Sequence, residues 1–228
     1  MTRKPTVTSV SEVARMSRRA LATRDAGWAK AFARWLARNG VRPNSVSVAG
    51  LVFAAAACAA FCVAPDIPSD IRALALLVAA AAIQLRLLCN LVDGMLAVEE
   101  GFSSKAGDIY NDLPDRISDV LILVGAGYSA RDLAYATTLG WCAAVLAVLT
   151  AYVRVLGGSL GVTQHFVGPM AKQHRMFTLT IATLLSALET MLGMPPRGLP
   201  IGLVVIVAGS MVTVCRRTAR VVNEVNAQ

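Results

Sequence analysis

Charged residues are scarce in this sequence, at 16% of its 228 residues, whereas 56% are hydrophobic. A soluble domain carries roughly a quarter charged residues, so the composition excludes an ordinary soluble domain. The mean hydropathy of +0.58 points the same way. We therefore expect an all-α integral membrane protein built from apolar helices of spanning length.

Aromatic residues are also few, at 6%, and they do not alternate with basic residues. A net charge of +8 and a pI near 9.7 would otherwise suggest a nucleic-acid partner. Here the basic residues cluster at the ends of apolar segments. We therefore expect anionic membrane lipids as the partner, and no nucleic acid.

The histidines and cysteines do not form a metal-ligand pattern. The two histidines, His165 and His174, are isolated, and the five cysteines have neither zinc-site nor redox-motif spacing. We interpret these cysteines as small hydrophobic residues packed between helices. They are Cys58, Cys62, Cys89, Cys142 and Cys215.

A short apolar run with a small-residue cleavage site is absent from the first residues, so we expect no cleavable signal peptide. Residues 1–24 are predicted to form a basic, flexible N-terminus. Residues 25–40 are predicted to form an amphipathic helix in the membrane interface, or else a soluble helix covering part of the bundle. Its apolar stripe comprises Trp28, Phe32, Trp35 and Leu36.

Six apolar stretches follow, and we expect them to form a six-helix transmembrane domain over residues 41–228. They cover approximately residues 44–64, 71–97, 113–130, 133–156, 176–193 and 199–215. Basic residues concentrate before the first stretch, between the fourth and fifth, and in the tail. The positive-inside rule then places both termini in the cytoplasm, with the protein in the cytoplasmic (inner) membrane.

Polar residues recur at helical spacing where the second stretch ends and the third begins. Asn90, Asp93 and Ala97 share one helix face, and Asn111 and Asp115 are one turn apart on the next helix. Ionisable groups in membrane segments are expensive, so such residues indicate a functional site that faces the bundle interior.

These two blocks resemble the motif of the CDP-alcohol phosphotransferases, which is D-x-x-D-G-x-x-A-R followed, eight or more residues later, by G-x-x-x-D-x-x-x-D. Asn90 and Asn111 replace aspartates of that motif, and Val98 replaces its arginine. The stretches R-P-N-S-V-S, A-Y-V-R and A-K-Q-H-R are also similar to family segments, so the resemblance covers nearly the whole chain. The matched positions are Asp93, Gly94, Ala97, Gly107 and Asp115.

The resemblance implies a transferase of phospholipid biosynthesis that moves a phosphatidyl group from CDP-diacylglycerol to an alcohol and releases CMP. It also implies a divalent metal cofactor, Mg²⁺ or Mn²⁺, and a homodimer. Glycerol phosphate, inositol phosphate, serine and a free amino alcohol all remain open as acceptors. The basic residues favour a phosphorylated one.

Metal ligation follows from the same positions, because hard cations prefer oxygen ligands. We predict Asp93 as the shared ligand, and Asp115 inherits the general-base role that the family gives to the last aspartate. Family members place four carboxylates around two ions, whereas the matched positions here supply two. The predicted metal ligands are Asn90, Asp93, Asn111 and Asp115.

Small residues are expected to leave room for the nucleotide against the helix backbone. These are Gly94, Ala97 and Gly107. Further acidic residues lie within one turn of matched positions, either as compensating ligands or as solvated charges at the rim. These are Glu99, Asp108 and Asp112.

Basic residues at the end of the fourth stretch and beyond it are candidates to bind the acceptor or the lipid phosphate, namely Arg154, Lys172 and Arg175. For Lys172, simple anchoring by the positive-inside rule is an equal alternative. Arg86 lies deeper on the face of Asn90, and Asp119 lies one turn deeper than Asp115. We predict an ion pair between Arg86 and Asp119, because an unpaired arginine there would be costly. Alternatively, Arg86 serves the site in place of the arginine missing at Val98.

Two other functions remain open at this stage. A catalytically impaired relative would bind nucleotide-lipid or act as a scaffold in the membrane. A small transporter would also tolerate buried acids, but the chain shows neither an inverted repeat nor paired glycine-broken spans at mid-membrane.

Overall fold

The computed structural model describes residues 27–99, 107–162 and 167–227. Within these ranges the chain forms seven α-helices and one short 3₁₀ turn, Ala64–Asp66, and no strand. The predicted flexible N-terminus, residues 1–24, lies outside the described residues. The helices are α1 (Gly27–Arg38), α2 (Pro43–Val63), α3 (Ser69–Glu99), α4 (Gly107–Ser129), α5 (Ala136–Ser159), α6 (Lys172–Met191) and α7 (Gly198–Asn226).

Six long helices close into a ring around one core. Going around the ring, α2 packs on α3, α3 on α6, α6 on α7, α7 on α5, α5 on α4, and α4 back on α2. The order in space therefore differs from the order in sequence. As a consequence, the start of α6 lies beside α3 although more than seventy residues separate them.

Glycines let the helices of this ring approach closely. A Cβ atom on Gly127 would lie 2.9 Å from the Cα of Gly140, so α4 and α5 touch there backbone to backbone. A Cβ atom on Gly125 would lie 2.9 Å from the Cα of Cys58 in α2. Small residues serve this purpose in lipid, where hydrophobicity does not drive helices together.

Four of the described helices are long and apolar enough to cross a membrane, in the ranges Pro43–Asp66, Ser69–Leu96, Ala136–Ser159 and Gly198–Asn226. A membrane protein is therefore indicated. The remaining two long helices, α4 and α6, carry several of the charged side chains described below, including Asp115, Asp119 and Arg175. The predicted count of six spans stays a prediction for these two helices.

The helix bounds extend beyond the predicted apolar stretches. Helix α7 continues to Asn226, and Arg217 in this extension donates hydrogen bonds to the carbonyl oxygens of Thr150 (2.7 Å) and Val167 (2.9 Å). Helix α4 begins at Gly107, so Pro114 lies inside it. Hydropathy marks only the apolar part of each helix and misses these polar turns.

Helix α1 occupies most of the predicted amphipathic segment. Its buried residues are Ala29 and Ala33, which pack with Val92 and Met95 of α3. The tryptophans of the predicted apolar stripe point outward, with Trp28 and Trp35 each 58% exposed, whereas Leu36 of the same stripe is partly buried against this cluster. Small alanines allow α1 to lie close against α3, and the large rings remain on the outer side. Its position in a membrane interface stays a prediction.

Candidate functional site

The cytoplasm-side site predicted from the sequence corresponds to a small cleft between α2, α3 and α4. Three predicted site residues, Asn90, Asp93 and Asp115, line this cleft together. The structure therefore brings the two polar helix ends into one place, with neither aspartate turned outward. The complete lining is Ser47, Gly50, Arg86, Cys89, Asn90, Asp93, Pro114, Asp115 and Ser118.

Asp93 is buried, with only 6% of its surface exposed. The hydroxyl of Ser47 in α2 donates a hydrogen bond of 2.7 Å to its Oδ2 atom. Its Oδ1 atom is buried and has no hydrogen-bond partner among the described residues. A buried carboxylate oxygen without a partner is costly, so Asp93 offers an oxygen ligand to a cation or a donor.

Asp115 is held on both of its carboxylate oxygens. Nη2 of Arg86 donates to Oδ1 at 3.1 Å. The ammonium of Lys172, at the start of α6, contacts Oδ2 and also the side-chain oxygen of Asn90. Lys172 therefore bridges the two polar blocks that the sequence motif identifies.

A buried ionic layer lies directly beneath the cleft. Asp119 accepts from Arg86 on Oδ1 and from Arg175 on Oδ2, each at 3.0 Å. Each of the three side chains is at most 2% exposed. Arg175 is further fixed by the hydroxyl of Thr150 (3.2 Å) and the carbonyl oxygen of Met170 (3.1 Å).

The predicted ion pair of Arg86 with Asp119 is confirmed. The alternative, that Arg86 serves the site itself, also has support, because the same Nη2 atom reaches Asp115. Arg175 was predicted as a phosphate ligand, but it lies in the buried layer and pairs with Asp119. Its contact with a phosphate stays a prediction, one that this burial does not favour.

Arg154 lies at the rim of the site rather than in the cleft. Its Nη2 atom lies 3.2 Å from Oδ2 of Asp112, and Nη2 of Arg116 lies 3.1 Å from Oδ1 of the same carboxylate. Asp112 does not line the cleft, and its side chain is 44% exposed. This position favours a solvated rim charge over a compensating metal ligand.

The remaining candidates lie in the same two helices. Gly94 follows Asp93 in α3 and is partly buried. The side chains of Glu99 and Asp108 lie outside the described part of the structure. The same holds for Ala97, Gly107 and Asn111, whose backbones belong to α3 and α4.

Three contacts at the cleft are not predicted from the sequence, namely Ser47 with Asp93, and Lys172 with both Asn90 and Asp115. Ser47 belongs to the stretch R-P-N-S-V-S, so a polar residue at the start of an apolar helix was the available signal. Lys172 was considered only as an anchor or a phosphate ligand. Its bridging position depends on α6 lying beside α3, which no local pattern reveals.

The donor set fits a hard cation in part. Among the described residues no group of three acidic, histidine or cysteine side chains converges. Asp93 supplies a free oxygen, whereas both oxygens of Asp115 already contact cations of the chain. Asp93 could thus contribute one oxygen to a divalent ion in this cleft, and Asn90 and Asp115 are the neighbouring oxygen donors.

Comparison with known proteins shows which solved structures share this fold. No protein-family model and no curated protein sequence matches the chain. Among solved structures, it is similar to the phosphatidylinositol phosphate synthase PgsA1 of Mycobacterium tuberculosis with CDP-DAG bound. The identity is 20% and the TM-score 0.73, over 86% of this chain and 94% of that one.

Two further structures of the same synthase are similar as well. The complex with manganese and citrate has a TM-score of 0.70 at 20% identity, over 85% of this chain and 88% of that chain. The apo form has a TM-score of 0.65 at 21% identity, over 82% and 92% respectively. The predicted resemblance is thus confirmed at the level of the fold: the chain folds like PgsA1, a member of the CDP-alcohol phosphotransferases.

Proposed function

We propose that this protein is a CDP-diacylglycerol-dependent phosphatidyltransferase of the cytoplasmic membrane that acts in phospholipid biosynthesis. It transfers the phosphatidyl group to the hydroxyl of an alcohol and releases CMP. The observation that carries this proposal is the meeting of Asp93 and Asp115 in one cleft, at motif spacing, within the fold of PgsA1. The CDP-DAG and manganese bound in PgsA1 support the same chemistry here.

Asp93 would hold a divalent ion, Mg²⁺ or Mn²⁺, through its free Oδ1 atom, with Asn90 and Asp115 nearby. When bound, the ion would neutralise negative charge on the pyrophosphate and on the departing CMP. Ser47 orients the Asp93 carboxylate by donating to Oδ2. Gly94, Ala97 and Gly107 have little or no side chain, so they would leave room for the nucleotide against the helix backbone.

Asp115 acts as the general base. A carboxylate oxygen can accept more than one hydrogen bond, so Asp115 can accept the acceptor hydroxyl while Arg86 and Lys172 hold its orientation. The hydroxyl oxygen attacks the phosphorus that bears the diacylglycerol, and its proton passes to Asp115. The bond from that phosphorus to the CMP oxygen breaks, and CMP leaves with the electron pair.

The acceptor is proposed to be a phosphorylated alcohol. Arg154 and Arg116 lie together at the rim of the site, where a soluble acceptor would approach. Guanidinium groups bind phosphate through paired hydrogen bonds.

The proposed organisation in the membrane comprises six spans, cytoplasmic termini, α1 in the membrane interface and a homodimer.

A second candidate function is supported by the same cleft. Asn90 and Asn111 supply no charge, and Lys172 already contacts Asp115. A catalytically impaired relative that binds nucleotide-lipid as a scaffold would have this donor set.

Purified protein in detergent, given CDP-diacylglycerol, Mn²⁺ or Mg²⁺ and a panel of alcohols, distinguishes the two functions. The transferase releases CMP with at least one acceptor, most rapidly with a phosphorylated one, and Asp93→Asn abolishes the release. Asp66→Asn is the matched control, because Asp66 lies in an exposed pair with Arg131 before α3. A protein that is stabilised by CMP and Mn²⁺ but releases no CMP with any acceptor is the binding protein instead.

A further inference from the structure

We infer that the ammonium of Lys172 is a built-in cation of the site, which takes the place of one divalent ion, so that the cleft binds one such ion and not two. This inference rests on the proposed metal site at Asp93. It concerns the number of ions bound, which can be measured without any turnover.

The position of Lys172 is the first support. Its ammonium contacts the side-chain oxygens of Asn90 and Asp115, which belong to the two different motif blocks. An ion shared by the two blocks would need the same oxygens. An ammonium offers three donors and a full positive charge, so the Lys172 ammonium can bind these oxygens without a metal ion.

Charge balance is the second support. Three carboxylates and three cations lie in the cleft and in the layer beneath it, and their charges cancel. They are Asp93, Asp115, Asp119, Arg86, Lys172 and Arg175.

Relative to the full motif, Asn90 and Asn111 remove two negative charges, which equals the charge of one divalent ion. The number of charged ligands sets the affinity for such ions. A second divalent ion would therefore enter a site that already holds a cation and has lost two carboxylates.

The anchoring of α6 is the third support. Lys172 and Arg175 are three residues apart, so they share one face of the helix. Arg175 is locked to Asp119, Thr150 and the backbone of Met170 in the buried layer. This lock fixes the first turn of α6 and holds the ammonium of Lys172 at the cleft.

The free Oδ1 atom of Asp93 locates the remaining ion. It is buried and without a partner among the described side chains, on a residue that lines the cleft, whereas Ser47 satisfies Oδ2. Lys172 makes no hydrogen bond to Asp93 in the described network. The ammonium and the single divalent ion thus occupy different parts of one cleft.

The test is a Mn²⁺ titration of the purified full chain. Binding is measured by calorimetry and by the loss of the electron paramagnetic resonance signal of free Mn²⁺. Wild type is expected to bind one Mn²⁺ per chain. Lys172→Met removes the charge and keeps an apolar stem, and should tighten binding roughly tenfold or more, because it removes repulsion between like charges. Arg131→Met, which removes one positive charge from the exposed pair with Asp66, should leave the affinity unchanged.

A pair of variants decides the number of ions. Asn90→Asp alone should still bind one Mn²⁺, because Lys172 remains between residues 90 and 115. Asn90→Asp combined with Lys172→Met should bind two. Lys172→Arg, which keeps the charge, should behave as wild type and guards against a folding artefact in the methionine variant.

Three outcomes would overturn the inference. They are two Mn²⁺ ions per wild-type chain, two ions in Asn90→Asp alone, and no Mn²⁺ uptake by wild type. CMP release, measured separately on the same samples, decides the proposed transferase function independently of the ion count.

Discussion

Asp119 and Asp93 are both buried carboxylates near the same end of the ring, yet their surroundings are opposite. Both oxygens of Asp119 are paired, one with Arg86 and one with Arg175. Asp93 has one oxygen paired with Ser47 and one without a partner among the described residues. Buried polar groups are normally satisfied. The carboxylate of Asp119 is therefore satisfied within its layer, although Nη1 of Arg86 and Nε of Arg175 have no partner among the described residues. The carboxylate of Asp93, by contrast, keeps one oxygen open to a ligand.

This difference indicates that the Asp119 layer contributes to stability, whereas the neighbouring Asp93 cleft contributes to function. The lower layer ties α3, α4 and α6 together through three charged side chains. Removing one partner of such a buried set leaves an uncompensated charge, which is strongly destabilising. Removing Asp93 instead relieves an unpaired group. Substitutions in the two layers should therefore change stability in opposite directions.

The largest expected effect is that of Asp119→Ala, which leaves two buried arginines without their shared carboxylate. We expect the free energy of unfolding to fall by about 3–5 kcal/mol, with little folded protein recovered from membranes. Thermal melting in detergent measures this. Asp66→Ala, at the exposed pair with Arg131, should change the free energy of unfolding by less than about 1 kcal/mol. Similar melting of the two variants would show that the buried layer is not structural.

The next effect is that of Asp93→Asn, which removes the negative charge of the predicted shared ligand. We expect CMP release to fall by about 10³-fold, since metal-ion stabilisation of transition-state charge contributes several kcal/mol. The melting temperature without metal should rise or stay unchanged, because the buried charge is gone. A fall in stability like that of Asp119→Ala would erase the contrast between the two layers.

Asp115→Asn should reduce CMP release by about 10²-fold or more, the usual contribution of a general base. Mn²⁺ binding should weaken less than in Asp93→Asn, because both oxygens of Asp115 already contact cations of the chain. The comparison uses turnover and Mn²⁺ titration on the same preparations. Full activity in Asp115→Asn would exclude it as the base.

The smallest effect is expected from Ser47→Ala, which deletes the 2.7 Å hydrogen bond to Asp93. A hydrogen bond to a charged group contributes at least about 1.5 kcal/mol, so the apparent Mn²⁺ affinity should weaken by roughly tenfold or more. Ser47→Thr, which keeps the hydroxyl, is the control and should retain the affinity. Equal affinity in the alanine variant would mean that Ser47 does not orient the carboxylate.

Part of the candidate site could be predicted from residue spacing alone. Asn90 and Asp93 share a face of α3, Asp115 lies at motif spacing on α4, and the cleft brings all three together. Helical rise along two antiparallel segments that are consecutive in sequence predicts the pair of Arg86 and Asp119, and it is confirmed. Both predictions depend on contacts within or between consecutive helices.

Residue spacing does not predict contacts between helices that are far apart in sequence. Lys172 and Arg175 reach the site because α6 packs on α3, two elements that are far apart in sequence. Arg175 was consequently assigned to a phosphate, although it belongs to the buried layer. The tryptophans of α1 face outward because Ala29 and Ala33 provide the closer contact with α3. Periodicity gives a helix face but not the neighbour that covers it.

The most direct measurement is the rate of CMP release from CDP-diacylglycerol by purified wild type, with Mn²⁺ and after chelation, beside Asp93→Asn and Asp66→Asn. We expect metal-dependent release in wild type and in Asp66→Asn, and almost none in Asp93→Asn. Release that survives chelation, or that proceeds at the full rate in Asp93→Asn, would contradict it.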